Sequence, residues 1–187
     1  MKHVILTIVL LLASGLVIAQ TKMSDQLSKT TKMNAQSKIF FAGGCFWGTE
    51  HFMKQINGVT STQVGYANGK TSIKNPTYEQ VCNDNTGFAE TVEVSYDPQQ
   101  ADLKLLLELY FKTIDPTSLN RQGNDRGSQY RTGIYYTNAA DLPIIKEAIE
   151  TLAKKYSKPI VVEVEPLVNF YPAEEYHQRS EERRVGK

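Results

Sequence analysis

The sequence predicts a single α+β domain on a split βαβ plan, and three observations carry that prediction. Apolar patterns of strand and helix type follow one another as strand, helix, strand, strand, helix, strand between residues 37 and 136. No internal repeat interrupts that order. The 187 residues, 41% apolar and 22% charged, suffice for one substantial core and give no sign of a second.

Each element has its own local reason. Ser37 to Phe41, "SKIFF", is a short apolar strand that runs into Gly43-Gly44, and a helix is expected to start near Cys45. Val59 to Tyr66 alternates loosely, as a half-buried strand does. The turn-rich "ANGKTSIKNP" follows, then a brief turn or helix at Thr77 to Cys82. "AETVEVSY" is the clearest strand. Asp102 is placed to cap a helix in which Leu103, Leu106, Leu107, Tyr110, Phe111 and Ile114 recur at helical spacing, with Asp115-Pro116 to stop it. Ser118 to Gln129 is polar and is expected to be a long loop. "RTGIYY" then predicts a strand, Asp141 to Tyr156 a helix and "PIVVEVEP" a strand. The first six of these elements have the order of the ferredoxin-like sandwich.

The two ends differ from the domain between them. Met1-Lys2-His3 precedes an apolar run from Val4 to Leu12, and small residues follow up to Ala19. That order is expected of a secretory signal peptide over residues 1–19, with cleavage after Ala19. The run is short for a membrane span and is broken by Ser14-Gly15. Residues 20–36, rich in Ser, Thr, Lys and Gln, are expected to form a flexible leader. The domain proper is expected at 37–178. Arg179 to Lys187, "RSEERRVGK", is a charged run similar to the in-frame translation of a sequencing-library adapter. The native C-terminus is therefore expected to depart from this sequence at His177 or Gln178.

Several function classes are excluded at this point. A net charge of +1 with no basic patch leaves nothing for nucleic acid. Cys45 and Cys82 are accompanied by no CxxC or paired-histidine spacing, so no metal site is expected. An extracytoplasmic domain, periplasmic or secreted, with no membrane attachment after cleavage is what the leader implies.

Chemistry concentrates in "GGCFWGTE". A cysteine in the first turn of a helix meets unpaired backbone N–H groups and the positive end of the helix dipole, which favour a thiolate. Glycines before it keep side chains away from the sulfur, and Phe46 and Trp47 can form an apolar wall beside it. The alternation of the "AETVEVSY" strand puts Glu90 on the same face as Phe88, Val92, Val94 and Tyr96. A carboxyl on an apolar face loses hydration, its pKa rises, and near neutrality it can act as a general acid.

"GCFWGTE", "NPTYEQVC", "TGFAETV", "RQGNDRGSQYR" and "EEYHQ", five motifs in one order across Ser37 to Gln178, resemble the A-type peptide methionine sulfoxide reductases. The resemblance implies an enzyme that reduces the S-epimer of methionine sulfoxide, free or in oxidised proteins, through a cysteine sulfenic acid. It implies no bound cofactor and an external thiol as reductant, thioredoxin-like or dithiothreitol. Carried onto this sequence, it makes Cys45 the nucleophile and Glu90 the acid. Tyr78 and Tyr130 would hydrogen-bond the sulfoxide oxygen, Phe46 and Trp47 would hold the methyl group, and Asp125 would help orient the substrate. A sulfoxide has an electrophilic sulfur, a strongly accepting oxygen and a small apolar methyl. A thiol, proton donors and an aromatic wall match those three features.

Two departures stand out. The histidine usual before Ala-Glu is Phe88 here, which is expected to make the surroundings of Glu90 more apolar. The C-terminal cysteine that attacks the sulfenic acid in many members is absent. A resolving cysteine lost with the altered tail, Cys82 in that role, and an external thiol are three routes left open, the first being preferred. Two other classes also stay open: a cysteine hydrolase with His177 as base, and a non-enzymatic binding module that uses Phe46 and Trp47.

Overall fold

A computed structural model of the chain describes residues 36–83 and 86–178. The signal peptide, the leader and the 179–187 run expected from the sequence lie outside the described residues, apart from Gln36. The chain order is β1 (Ser37–Gly43), α1 (Phe46–Met53), β2 (Val59–Ala67), α2 (Tyr78–Cys82), β3 (Ala89–Tyr96) and α3 (Leu103–Phe111). It continues with β4 (Arg121–Gln122), β5 (Asp125–Arg126), β6 (Thr132–Tyr136), α4 (Leu142–Ala153), β7 (Glu163–Pro166) and β8 (Phe170–Pro172).

The main sheet has the order β7-β6-β1-β3-β2-β8. Its four central strands are mutually antiparallel neighbours, and they have the split βαβ arrangement expected from the sequence. β7 extends one edge in parallel with β6, and β8 extends the other against β2.

β1 lies in the middle and is buried on both sides, which is why it reads as an unbroken apolar run rather than an alternating one. Ile39 and Phe41 face the core under the helices, to which all four helices contribute. Phe40 and Ala42 face a smaller cluster with Ala67, Ala89 and Tyr135, packed by Leu167 and Phe170. The same logic puts Phe88, Val92, Val94 and Tyr96 on the helix side of β3, as alternation requires.

Several boundaries differ from the sequence expectation. α3 is capped by the Asp102 carboxylate, which accepts the Leu105 N–H at 2.8 Å, but it ends at Phe111. Thr113 turns its hydroxyl onto the Tyr110 carbonyl at 2.7 Å and takes an acceptor from the final turn. Ile114 remains in the core beyond the helix. β7 starts at Glu163 rather than Pro159, because Val161 donates its N–H to the Pro116 carbonyl at 2.8 Å, away from the sheet. The expected loop 118–129 folds back as the β4–β5 hairpin, turning at Gly123 with φ 58°. β8 is three residues long and has no sequence signature.

α2 is only five residues long, and its start is fastened by a capping box. The Thr77 hydroxyl accepts the Gln80 N–H, and the Gln80 side chain accepts the Thr77 N–H at 2.9 Å. Thr77→Ala is expected to lower stability by about 1 kcal/mol, read as a shift in the urea midpoint at unchanged slope.

Candidate active site

The turn from β1 into α1 sets the site. Gly44 has φ 81°, and a Cβ built on it would lie 2.6 Å from the Gln122 Cβ. Only glycine satisfies both the left-handed backbone and the close approach of the loop. Gly44→Ala is expected to cost about 1–3 kcal/mol and to move the cysteine that follows, measurable as a lower melting temperature with a larger loss of turnover.

Cys45 is the N-cap of α1 (φ −58°, ψ 119°) and is partly buried. Its carbonyl accepts the Gly48 and Thr49 N–H groups at 3.1 and 3.4 Å. The Trp47 and Gly48 N–H groups act on the sulfur and favour its charged form, yet no hydrogen bond with cap geometry forms. We take this as an electrostatic contact rather than a cap, since sulfur is a large, weak acceptor. The thiolate expected from the helix terminus is not the resting state. Burial, the Glu90 charge and the Asp125 charge together push the Cys45 thiol above its ordinary pKa, and the backbone donors offset only part of the rise.

Glu90 lies on β3, 1% exposed. Its Oε2 accepts the Phe46 N–H at 3.0 Å, so its carboxyl is tied to the peptide group immediately after Cys45. Oε1 is buried with no hydrogen-bond partner among the described residues. Burial dominates its titration, and with Asp125 nearby it outweighs the Phe46 hydrogen bond and lifts the carboxyl to about 8. Glu90 is thus a neutral acid at pH 7 with one oxygen uncommitted. Phe88 is buried, with its ring over Gly69 and edge-on to Tyr171 at 5.7 Å.

The remaining sequence-derived residues lie around the same two groups. Phe46 is buried, and the Trp47 ring centroid is 6.4 Å from it. Tyr78 begins α2, and its hydroxyl makes side-chain hydrogen bonds with Tyr130 and Cys82. Tyr130 ends a short 3₁₀ turn, Ser128–Tyr130, that follows β5. Burial first, with a smaller electrostatic effect of Glu90, raises both tyrosine hydroxyls above their ordinary range. Asp125, exposed on β5, acts on Cys45, Glu90 and Tyr130 alike. Two proton-bearing acids, a carboxyl and a thiol, therefore lie close together beside the Phe46 and Trp47 rings, with two phenol hydroxyls within electrostatic reach of the carboxyl. Such a set can protonate an oxygen and attack the atom that bears it.

Three residues beyond the sequence-derived site also reach it. The His177 ring lies against Tyr78 (4.5 Å), Phe46 (5.2 Å), Trp47 (5.5 Å) and Tyr176 (4.2 Å), and its carbonyl accepts the Trp47 indole N–H at 2.8 Å. Glu174 and Gln178 fasten the same segment. For Glu174 and Gln178 the "EEYHQ" motif is the only signal in the sequence, whereas His177 is also the base of the hydrolase alternative. Among the described residues no cluster of His, Cys, Asp or Glu could hold a metal ion, and no helix is long and apolar enough to cross a membrane.

The family model described as peptide methionine sulfoxide reductase matches residues 37–185. The peptide methionine sulfoxide reductase MsrA of Lachnoclostridium phytofermentans is 62% identical over 141 residues, 75% of this chain and 84% of the relative. The crystal structure of reduced Mxr1 from Saccharomyces cerevisiae aligns with a TM-score of 0.76 at 39% identity, over 81% of this chain and 87% of that one. The structure of Mxr1 in complex with Trx2 aligns at 0.56 and 30% identity, over 76% and 84% of the two chains.

Proposed function

This chain belongs to the peptide methionine sulfoxide reductase family, an oxidoreductase that reduces methionine sulfoxide with thiols, and we propose that it does so on the S-epimer with Cys45 as nucleophile and Glu90 as acid. The observation that carries this assignment is the buried Glu90 carboxyl, neutral at pH 7 and held to the amide after Cys45. The substrate methyl enters the recess of Phe46 and Trp47, which orients the sulfur toward Cys45. The Tyr78 and Tyr130 hydroxyls donate to the sulfoxide oxygen, and Asp125 orients the remainder of the substrate from the rim.

Glu90 gives its proton to the oxygen as the Cys45 sulfur forms a bond to the substrate sulfur, and the thiol proton passes to the Glu90 carboxylate. The protonated oxygen then moves to Cys45 as the sulfur–sulfur bond breaks, and methionine leaves. The substrate sulfur gains two electrons, Cys45 becomes a sulfenic acid, and Glu90 has recovered its proton. A raised thiol pKa suits this sequence, because the proton that Cys45 releases is the one that Glu90 needs back.

The sulfenic acid is reduced by thiols from outside, thioredoxin-like in the cell and dithiothreitol in the assay. The family's yeast Mxr1 in complex with Trx2 supports a partner of this kind. The substrates are oxidised proteins and free methionine sulfoxide. The basic, then apolar, then small order of residues 1–19 supports an extracytoplasmic site of action after cleavage. Assaying both epimers with dithiothreitol tests the reading: consumption of the S-epimer alone is expected, and equal consumption of the R-epimer would contradict it.

A further inference from the structure

The segment Ala173–Gln178 is joined to the site at four points. The Ala173 N–H donates to the Val64 carbonyl at 3.0 Å, and the Gln178 amide bridges the Val64 carbonyl (2.9 Å) and N–H (3.3 Å), as a further strand residue would. The His177 carbonyl holds the Trp47 indole. Between these, Glu174 makes two short hydrogen bonds: Oε1 accepts the Tyr78 backbone N–H at 2.7 Å, and Oε2 accepts the Tyr66 hydroxyl at 2.7 Å.

Both partners matter to the pocket. Tyr78 is the first residue of α2, where a backbone N–H has no acceptor inside the helix. The capping box serves the N–H groups of Thr77 and Gln80 but not that of Tyr78, so Glu174 is the acceptor that fastens Tyr78 itself. Tyr66 is fully buried, lies opposite Glu90 in the β2–β3 register, and has its ring centroid 6.1 Å from that of Phe46. One carboxylate therefore spans from the rigid sheet, beside the acid and the aromatic wall, to the short turn that carries an oxygen-binding phenol. Glu174 also stays ionised, since the hydrogen bonds from Tyr78, its own N–H and Tyr66, together with the nearby His177, lower its pKa despite burial.

We propose that Glu174 is a positioning residue, which holds the Tyr78 hydroxyl at the height where it meets the sulfoxide oxygen by anchoring the Tyr78 backbone to the sheet through Tyr66. The inference rests on the reading of Cys45, Glu90 and Tyr78 above. It predicts that the worth of Glu174 is realised through the Tyr78 hydroxyl and vanishes when that hydroxyl is absent.

A double-mutant cycle on the full chain tests this, with the single-turnover rate on the S-epimer of methionine sulfoxide as the readout. Glu174→Ala is expected to lower the rate about tenfold in the parent and less than about twofold in the Tyr78→Phe background, with little change in half-saturation. Glu174→Gln is expected to stay within about threefold of the parent, because its amide oxygen still accepts the Tyr78 N–H. The cycle is repeated with Glu174→Asp, which keeps the charge and shortens the reach, so the outcome does not depend on the alanine variant folding. Trp47 is the only tryptophan in the chain, and its unchanged emission reports an intact aromatic wall. Equal losses in both backgrounds, or equal losses for Ala and Gln, overturn the proposal. A parent chain that consumes no sulfoxide overturns the reading of the site instead.

Discussion

Cys45→Ser is expected to lower sulfoxide reduction by roughly 10⁴-fold or more, to a level set by the assay background. A serine oxygen has no accessible oxidation state to receive the oxygen atom, so no other feature of the pocket can substitute for the sulfur. The variant should still fold, and its stability should rise. Cys45 is an N-cap that makes no side-chain cap hydrogen bond, whereas serine is among the preferred residues there and adds about 1 kcal/mol. Substrate binding should persist, seen as a change in Trp47 emission on adding the S-epimer. An inactive protein that melts higher and binds normally separates a lost nucleophile from a lost fold. Residual turnover within tenfold of the parent would place the chemistry elsewhere.

Glu90→Gln is expected to cost about 10²- to 10³-fold in single-turnover rate, because the amide can still accept the Phe46 N–H but cannot transfer a proton. In the parent, the rate should fall as pH rises through about 8, where the acid ionises. In the variant that fall should disappear. Stability carries a second signature of the same group. The folded carboxyl binds its proton up to about 8, whereas the ordinary value is 4.5, so the folded state holds more protons in between. The contribution of Glu90 to stability is then fully present below about pH 4.5 and is lost progressively as pH climbs to about 8. Glu90→Gln removes this dependence, and the variant should out-melt the parent at pH 9 while matching it more closely at pH 5. A parent profile flat between pH 7 and 9 would show that Glu90 is not the proton donor.

The parts of the site that were legible in the sequence are those set by local rules. Cys45, Phe46 and Trp47 are adjacent in the chain at a strand-to-helix turn, and the glycine before them announces the turn. Glu90 followed from alternation along β3, since a strand pairs charge with an apolar face only rarely. Tyr78, Tyr130 and Asp125 came from motif resemblance, because the loops that carry them have no period from which to argue. Periodicity could not give the state of the Cys45 thiol. The helix terminus is visible in the sequence, whereas the burial and the two carboxylates that oppose it depend on strands and loops brought together by the fold. Glu174 and His177 act on backbone and indole groups 96 and 130 residues away, far beyond the reach of a window reading. The shortened β7 has the same cause, since Val161 is taken by Pro116 from a distant loop.

The sulfur of Cys45 as acceptor of the substrate oxygen is the claim on which the mechanism depends. It is tested most directly by reacting the fully reduced chain with one equivalent of the S-epimer in the absence of any external thiol, then trapping and mapping the product by mass spectrometry. One methionine released per chain, with a single added oxygen trapped as sulfenic acid on the Cys45 peptide, is the predicted result. Methionine released with Cys45 unmodified, or with the oxygen mapped to Cys82 in a Cys45→Ser chain, would contradict it.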